Sequence, residues 1–299
     1  MEKCWQKINN RTLLTKENIM KFIITGSGGC VSIPRPLCQC NVCVEARKKG
    51  LPYARCGCSL YLEDISLLVD TPEDINIALN NTNITSLDYI LYSHWDPDHT
   101  LGMRVIEQIR LEWLDFYENK EPENPLIIYA SEGVMNDING IRNIHGSFMD
   151  YYEHMKLIKR NIAKGSVKIK DINIRFISVP KEKNVDIFMF EQDGKKVIYA
   201  PCDCKNFPRD DNIRNADILI IGNTFVGDGL KNGTIIHGKH PLRHELHSME
   251  DIIGIKEHFN IKEIIITHIE EDWGKTYDEY KELEKEYEKI KFAYDGMAV

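Results

Sequence analysis

No run of about 18 apolar residues occurs anywhere in the 299-residue chain, so a membrane-spanning helix is not expected. The opening stretch MEKCWQKINNRTLLTKENIM lacks an apolar signal core and a small-residue cleavage site, which points to a cytoplasmic location. Excess positive charge is also missing. Thirty-eight Lys+Arg stand against 46 Asp+Glu, a net charge of −8, a sign that repels a polyphosphate backbone and makes long nucleic acid or a membrane surface a poor partner. Internal repeats, low-complexity segments and Ser/Gly linkers are absent, so neither a solenoid nor a strung pair of domains is indicated. Nine cysteines are too few for a secreted disulfide scaffold of this length, and an odd number cannot all pair.

What is present is the material of a globular core, 42% hydrophobic and 28% charged residues. Short β-branched runs at 59–63, 66–70, 88–92, 126–129, 172–179, 186–190, 196–200, 217–221, 263–267 and 291–294 read as strands. Amphipathic stretches at 42–49, 72–80, 97–110, 148–159, 248–259 and 276–289 read as helices, several introduced by Pro, Ser or Thr. Neighbouring strands with no helix between them require antiparallel or mixed sheets. The succession therefore predicts an α/β protein of two packed sheets with helices outside, rather than a doubly wound parallel sheet. Residues 1–19 are polar and weakly patterned and read as an extension, leaving 20–299 as one domain.

The densest chemistry follows the apolar strand Tyr89-Ile90-Leu91-Tyr92. His94, Asp96, Asp98 and His99 offer four metal donors within six positions, ahead of an amphipathic helix. Imidazole and carboxylate together suit Zn, Mn or Fe. A helix N-terminus with Asp96 as cap and Pro97 in its first turn explains part of this pattern but not both histidines. Downstream, Asp203 lies just past the strand Val197-Ile198-Tyr199-Ala200, and His268 ends the strand Ile264-Ile265-Ile266-Thr267.

This pattern resembles the metallo-β-lactamase superfamily, whose metal motif is His-x-His-x-Asp-His after a strand. The resemblance implies a four-layer αββα sandwich of two mixed sheets. It also implies one or two divalent metals (Zn, Mn or Fe) held by His94, Asp96, Asp98, His99, Asp203 and His268, with Asp203 as the bridging aspartate. Asp96 stands where the family has its second histidine, and the strand at 172–179 ends in Pro180-Lys181-Glu182-Lys183 where another histidine is expected. The first metal position is thereby weakened, while Asp98, His99, Asp203 and His268 leave the second intact. His145, His154, Cys204 or a residue between His237 and His247 are the candidates to fill the gap.

Cys38-Gln39-Cys40-Asn41-Val42-Cys43 carries the spacing of a thiolate cluster, three soft donors on one turn. With Thr25-Gly26-Ser27-Gly28-Gly29 upstream and Asp295-Gly296-Met297 near the end, it is similar to the branch holding the phosphoribosyl cyclic phosphate phosphodiesterases and the hydroxylases of pyrroloquinoline quinone biosynthesis. That branch implies a structural zinc on an inserted loop near 38–58, with Glu271 at the place of the fourth ligand, a histidine in the phosphodiesterases; Asp272, Cys56 and Cys58 are the alternatives. It also sets His247 near the scissile phosphate, as an acid beside Asp98 in the catalytic set, whereas a polar loop explains His247 equally well. The glycine stretch is either a phosphate cradle or a tight turn.

The resemblance therefore implies a metal-dependent phosphodiesterase acting through a metal-bound hydroxide on a small, phosphorylated molecule, and a homodimer is among the expected assemblies. A mononuclear Fe(II) redox enzyme and a catalytically dead binding protein are the alternatives.

Overall fold

The computed structural model describes residues 20–118, 120–227 and 229–299; the expected extension at 1–19 lies outside them. Two seven-stranded sheets dominate. Across the first, the order is Met297–Ala298, Phe22–Gly26, Ser59–Leu62, Leu67–Val69, Tyr89–Leu91, Leu126–Ala130 and Ile158–Ile162. Across the second it is Ile290–Phe292, Glu263–Ile266, Ile218–Ile221, Lys195–Ala200, Asp186–Gln192, Ile172–Ser178 and Ser166–Ile169. Both are mixed. Antiparallel pairing joins the strands linked directly by turns, such as Ile172–Ser178 with Asp186–Gln192. Parallel pairing joins Leu67–Val69 through Ile158–Ile162 in one sheet and Lys195–Ala200 through Ile290–Phe292 in the other.

The period of two along each strand sorts side chains into layers. Leu91 faces the core between the sheets with Leu60, Phe188 and Tyr199, whereas its neighbour Ile90 faces outward onto Ile75 and Ala78 of the helix Ile75–Asn81 and Val134 of Glu132–Asn139. In the other sheet Ile265 points inward, and Ile264 and Ile266 point out to Ile252 of Met249–Phe259 and to Tyr280. Each such residue leaves water completely or nearly so, worth about 1.5–3 kcal/mol apiece. These three apolar layers are the αββα sandwich that the sequence pattern implied. Among the described residues no helix is long and apolar enough to cross a membrane.

Three elements differ from their sequence reading. The helix expected over 148–159 stops at His154, Lys156 turns with φ 57°, and Ile158–Ile162 leaves as a strand paired with Leu126–Ala130. Its β-branched ends fit a sheet edge better than a fourth helical turn. The helix expected over 97–110 is broken into Pro97–Thr100, a tighter 3-10 turn at Leu101–Arg104 and Val105–Arg110. Gly102 is the cause: a β-carbon there would lie 1.8 Å from the carbonyl oxygen of Pro72, so the chain passes too close to the 70–72 loop for a regular helix. The last helix, expected over 276–289, is confined to Tyr277–Leu283.

Candidate metal centres

Ligands in parallel sheets gather beyond the carboxyl ends of the strands, and both sheets here deliver side chains in that direction. Leu67–Val69 leads into Asp70, Tyr89–Leu91 into His94, Lys195–Ala200 into Cys202 and Asp203, Ile218–Ile221 into Asn223, and Glu263–Ile266 into His268. Asp70, Asp203, Asn223 and His268 all have positive φ, between 50° and 64°, a conformation costing about 1 kcal/mol or more each that the surrounding packing must hold. Gly222 lets two of these ends meet, because a β-carbon on it would lie 1.6 Å from the Pro201 oxygen and 2.8 Å from Cβ of His268.

Asp98, His99, Cys202 and His268 bring one donor atom each to within 4.8 Å of one another. His268 Nε2 lies 3.3 Å from Asp98 Oδ2, and His99 Nε2 lies 3.5 Å from the same oxygen. Burial opposes ionisation of Cys202, but His268, and with it His94 and His99, pull its pKa well below the ordinary thiol value. Burial likewise opposes the charge on Asp98, and His268, His99 and His94 outweigh it, so its carboxyl stays well below the usual carboxylate range.

Behind the tetrad, Asp70 is fully buried. It accepts hydrogen bonds from Ser93 N at 2.8 Å and Ser93 Oγ at 2.6 Å, and its Oδ2 lies 2.8 Å from His99 Nδ1. A carboxylate on Nδ1 fixes the imidazole with Nε2 as the free lone pair. Ser93 Oγ also lies 2.9 Å from His94 Nδ1. The sequence reading did not pick out Asp70 or Ser93 and did not place Cys202 among the ligands. A charged residue directly after the fully apolar strand Leu67-Leu68-Val69 was the available signal for the first.

Asp203, expected to bridge the two metal positions, is not in the group with Asp98, His99 and His268; Cys202 stands in that group. Asp203 falls with His94 and Asp96, and its two oxygens take Lys181 Nζ at 3.2 Å and Lys183 Nζ at 2.8 Å. Lys183 bonds Asp96 as well. Asp96 makes no side-chain cap to the following helix, which removes the capping alternative. Burial raises its pKa, but His94 and Lys183 more than compensate and bring it down to about 2.

None of the candidates for the missing histidine reaches this place. His154 is exposed, His145, His237, His240 and His244 join no donor group, and Cys204 contacts the Ala200 carbonyl and His247. The turn that lacks the histidine supplies Lys183.

His247 joins none of the donor groups. It is buried, with Nε2 3.1 Å from the Cys204 carbonyl, and burial together with Lys205 pushes its pKa down to about 4, which disfavours the imidazolium at neutral pH. The glycine stretch is a turn, not a cradle. Gly28 N donates to Cys56 O at 2.8 Å and Gly29 N to Ile269 O at 3.1 Å, while Ser27 N and Oγ and Cys56 N are tied to the buried carboxylate of Asp295.

A second donor group lies apart from the tetrad. Sγ of Cys38, Cys40 and Cys43 lie 3.3, 3.3 and 2.9 Å from one oxygen, Glu271 Oε2. Glu271 is 1% exposed, and its other oxygen takes Lys231 at 2.5 Å and Arg35 at 3.3 Å. Of the four residues weighed for this place, Glu271 alone is in the group; Asp272 pairs with Lys231, Cys56 with the Asp295 region and Cys58 with Tyr199.

Comparison with known proteins agrees with this architecture. A family model described as a beta-lactamase superfamily domain matches residues 66–269. Among solved structures, a diphosphatase from the PhnP family is 19% identical, with 94% of this chain and 96% of that chain covered at a TM-score of 0.68. Zinc-bound PqqB from Methylobacterium extorquens is 20% identical, with 94% and 99% covered at 0.70. The short form of human tRNase Z is 15% identical, with 94% and 98% covered at 0.61. No curated protein matches the sequence. At these identities the structural likeness speaks for the fold, and the family match spans more than half of the chain: the protein belongs to the β-lactamase superfamily and has the metallo-β-lactamase fold.

Proposed function

We propose that this protein is a metal-dependent hydrolase of a small phosphoester, with its metal held by Asp98, His99, Cys202 and His268. The observation that carries the reading is His99 Nε2, a fully buried ring nitrogen within this group that has no hydrogen-bond partner. Orphaned polar atoms in a protein interior cost about 1–3 kcal/mol each, and at the mouth of a carboxylate-thiolate-imidazole cluster the fitting partner is a cation. Three thiols, that of Cys43 buried and those of Cys38 and Cys40 half-buried, converge on one carboxylate and fit a second, structural zinc in the same way.

Asp98, His99, Cys202 and His268 would hold a divalent metal, which would supply Lewis-acid polarisation of a phosphoryl oxygen and a more acidic water near neutral pH. The chain's own residues do the rest. Asp70 holds His99 in one tautomer, Ser93 links it to His94, and Asp98 offers a carboxylate oxygen to orient the attacking water. Lys181 and Lys183 place positive charge at the rim, where an anionic ester docks. The phosphoester class also follows the diphosphatase among the structural neighbours and the net charge of −8, which disfavours a polynucleotide. A thiolate among the donors favours zinc over the oxygen-rich sets of redox iron sites, and the complete tetrad argues against a fold retained only for binding. The reduced cysteines of such a site suit a cytoplasmic protein.

The test is hydrolysis of bis(4-nitrophenyl) phosphate and of small cyclic phosphodiesters by chelator-stripped protein reloaded with Zn, Mn or Fe. Reloading should raise the rate about a thousandfold, as several kcal/mol of charge stabilisation implies, and His268→Ala should abolish the gain. Metal-loaded protein that cleaves no phosphoester would refute the reading.

A further inference from the structure

We infer that the ammonium of Lys183 permanently occupies the position of a first metal, so that the catalytic centre takes a single divalent ion with a lysine cation beside it. This rests on the reading of the tetrad as a metal site.

Three donors, His94, Asp96 and Asp203, approach one another within 4.8 Å next to the tetrad. Lys183 Nζ already bonds both carboxylates of that group, Asp96 Oδ2 and Asp203 Oδ2. Lys181 Nζ pairs with the other oxygen of Asp203. Two carboxylates thus face two ammonium groups and the formal charge is balanced without a metal. Admitting a dication would require breaking both bonds of Lys183 and leaving its charge within a few ångströms of the ion, in a place where side chains of the pair are only 28% and 22% exposed. Like charges at such distances cost several kcal/mol where solvent screening is partial.

The geometry also explains two departures from the superfamily pattern as one change. Carboxylates at 96 and 203 suit an ammonium, which needs acceptors and no lone-pair nitrogen donors. The loop that lacks a histidine supplies the lysine instead. Lys183 lies 5.6 Å from the Trp95 ring, which limits its swing toward solvent. In a two-metal hydrolase both cations clamp the transferring group; here Lys183 is a positioning charge for an anionic oxygen of the substrate, and no bond to it is made or broken.

The experiment counts metals per chain at zinc saturation by native mass spectrometry, for the wild type, Lys183→Arg, Lys183→His and His268→Ala. The ion at the cysteine cluster contributes equally to all four and cancels in the differences. Lys183→Arg should match the wild type, and Lys183→His, which restores a lone-pair donor and removes the charge, should bind one ion more. A Lys183→His count equal to the wild type, or a wild-type centre holding two ions, overturns the inference. His268→Ala reports on the underlying reading separately: loss of one ion upholds the centre whatever Lys183 does, and no loss removes the basis of both.

Discussion

The cysteine cluster and the strand-end centre are built from the same kinds of donor but assembled in opposite ways. In the first, Cys38, Cys40 and Cys43 fall within six positions, at the start of the helix Asn41–Lys49, and only Glu271 comes from far away. In the second, Asp98, His99, Cys202 and His268 come from three separate strand ends across both sheets. A local cluster depends on one turn, whereas a distributed one depends on the register of two sheets. A structural ion should therefore contribute to folding in the first, and a pre-formed scaffold should tolerate loss of the ion in the second.

The largest expected effect tests that contrast at the cysteine end. Cys43→Ser should lose one zinc per chain and more than about 4 kcal/mol of stability, the range that marks loss of a metal site. His268→Ala, by contrast, should lose its ion with a much smaller drop in melting temperature. Equal melting losses in the two variants, measured by calorimetry on metal-loaded protein, would erase the distinction.

A smaller effect sharpens it at the other end. Asp70 lies outside the group of Asp98, His99, Cys202 and His268 but fixes His99 through Nδ1 at 2.8 Å. Asp70→Asn should weaken zinc binding at the tetrad about 10- to 100-fold, as loss of such a carboxylate partner does, and leave the cysteine ion in place. Competitive zinc titration with a chromophoric chelator separates the two sites. A weakening of both sites together would mean that Asp70 serves the fold rather than His99.

The same contrast accounts for what was legible in the sequence. The αββα layering followed from alternating apolar runs and from strand pairs without intervening helices, because the period of two that sorts Ile90 from Leu91 is written residue by residue. The spacing of Cys38, Cys40 and Cys43, and of His94, Asp98 and His99, is local and was visible in the same way. The exchange of Asp203 for Cys202 was not, because neighbouring residues leave a strand end in opposite directions and a single step decides which one enters the site. Lys183 was hidden for another reason: a missing donor leaves no mark on its replacement when the replacement is a cation. The Pro97–Arg110 break depended on the approach of Gly102 to Pro72, a tertiary contact that no helical periodicity encodes.

Whether the ion of the strand-end centre is bound through Cys202 rather than Asp203 is decided by the metal content of Cys202→Ser and Asp203→Asn after dialysis against a weak chelator. Cys202→Ser should lose one ion per chain relative to the wild type while Asp203→Asn should retain the wild-type count. Loss of the ion from Asp203→Asn with full retention in Cys202→Ser would contradict it.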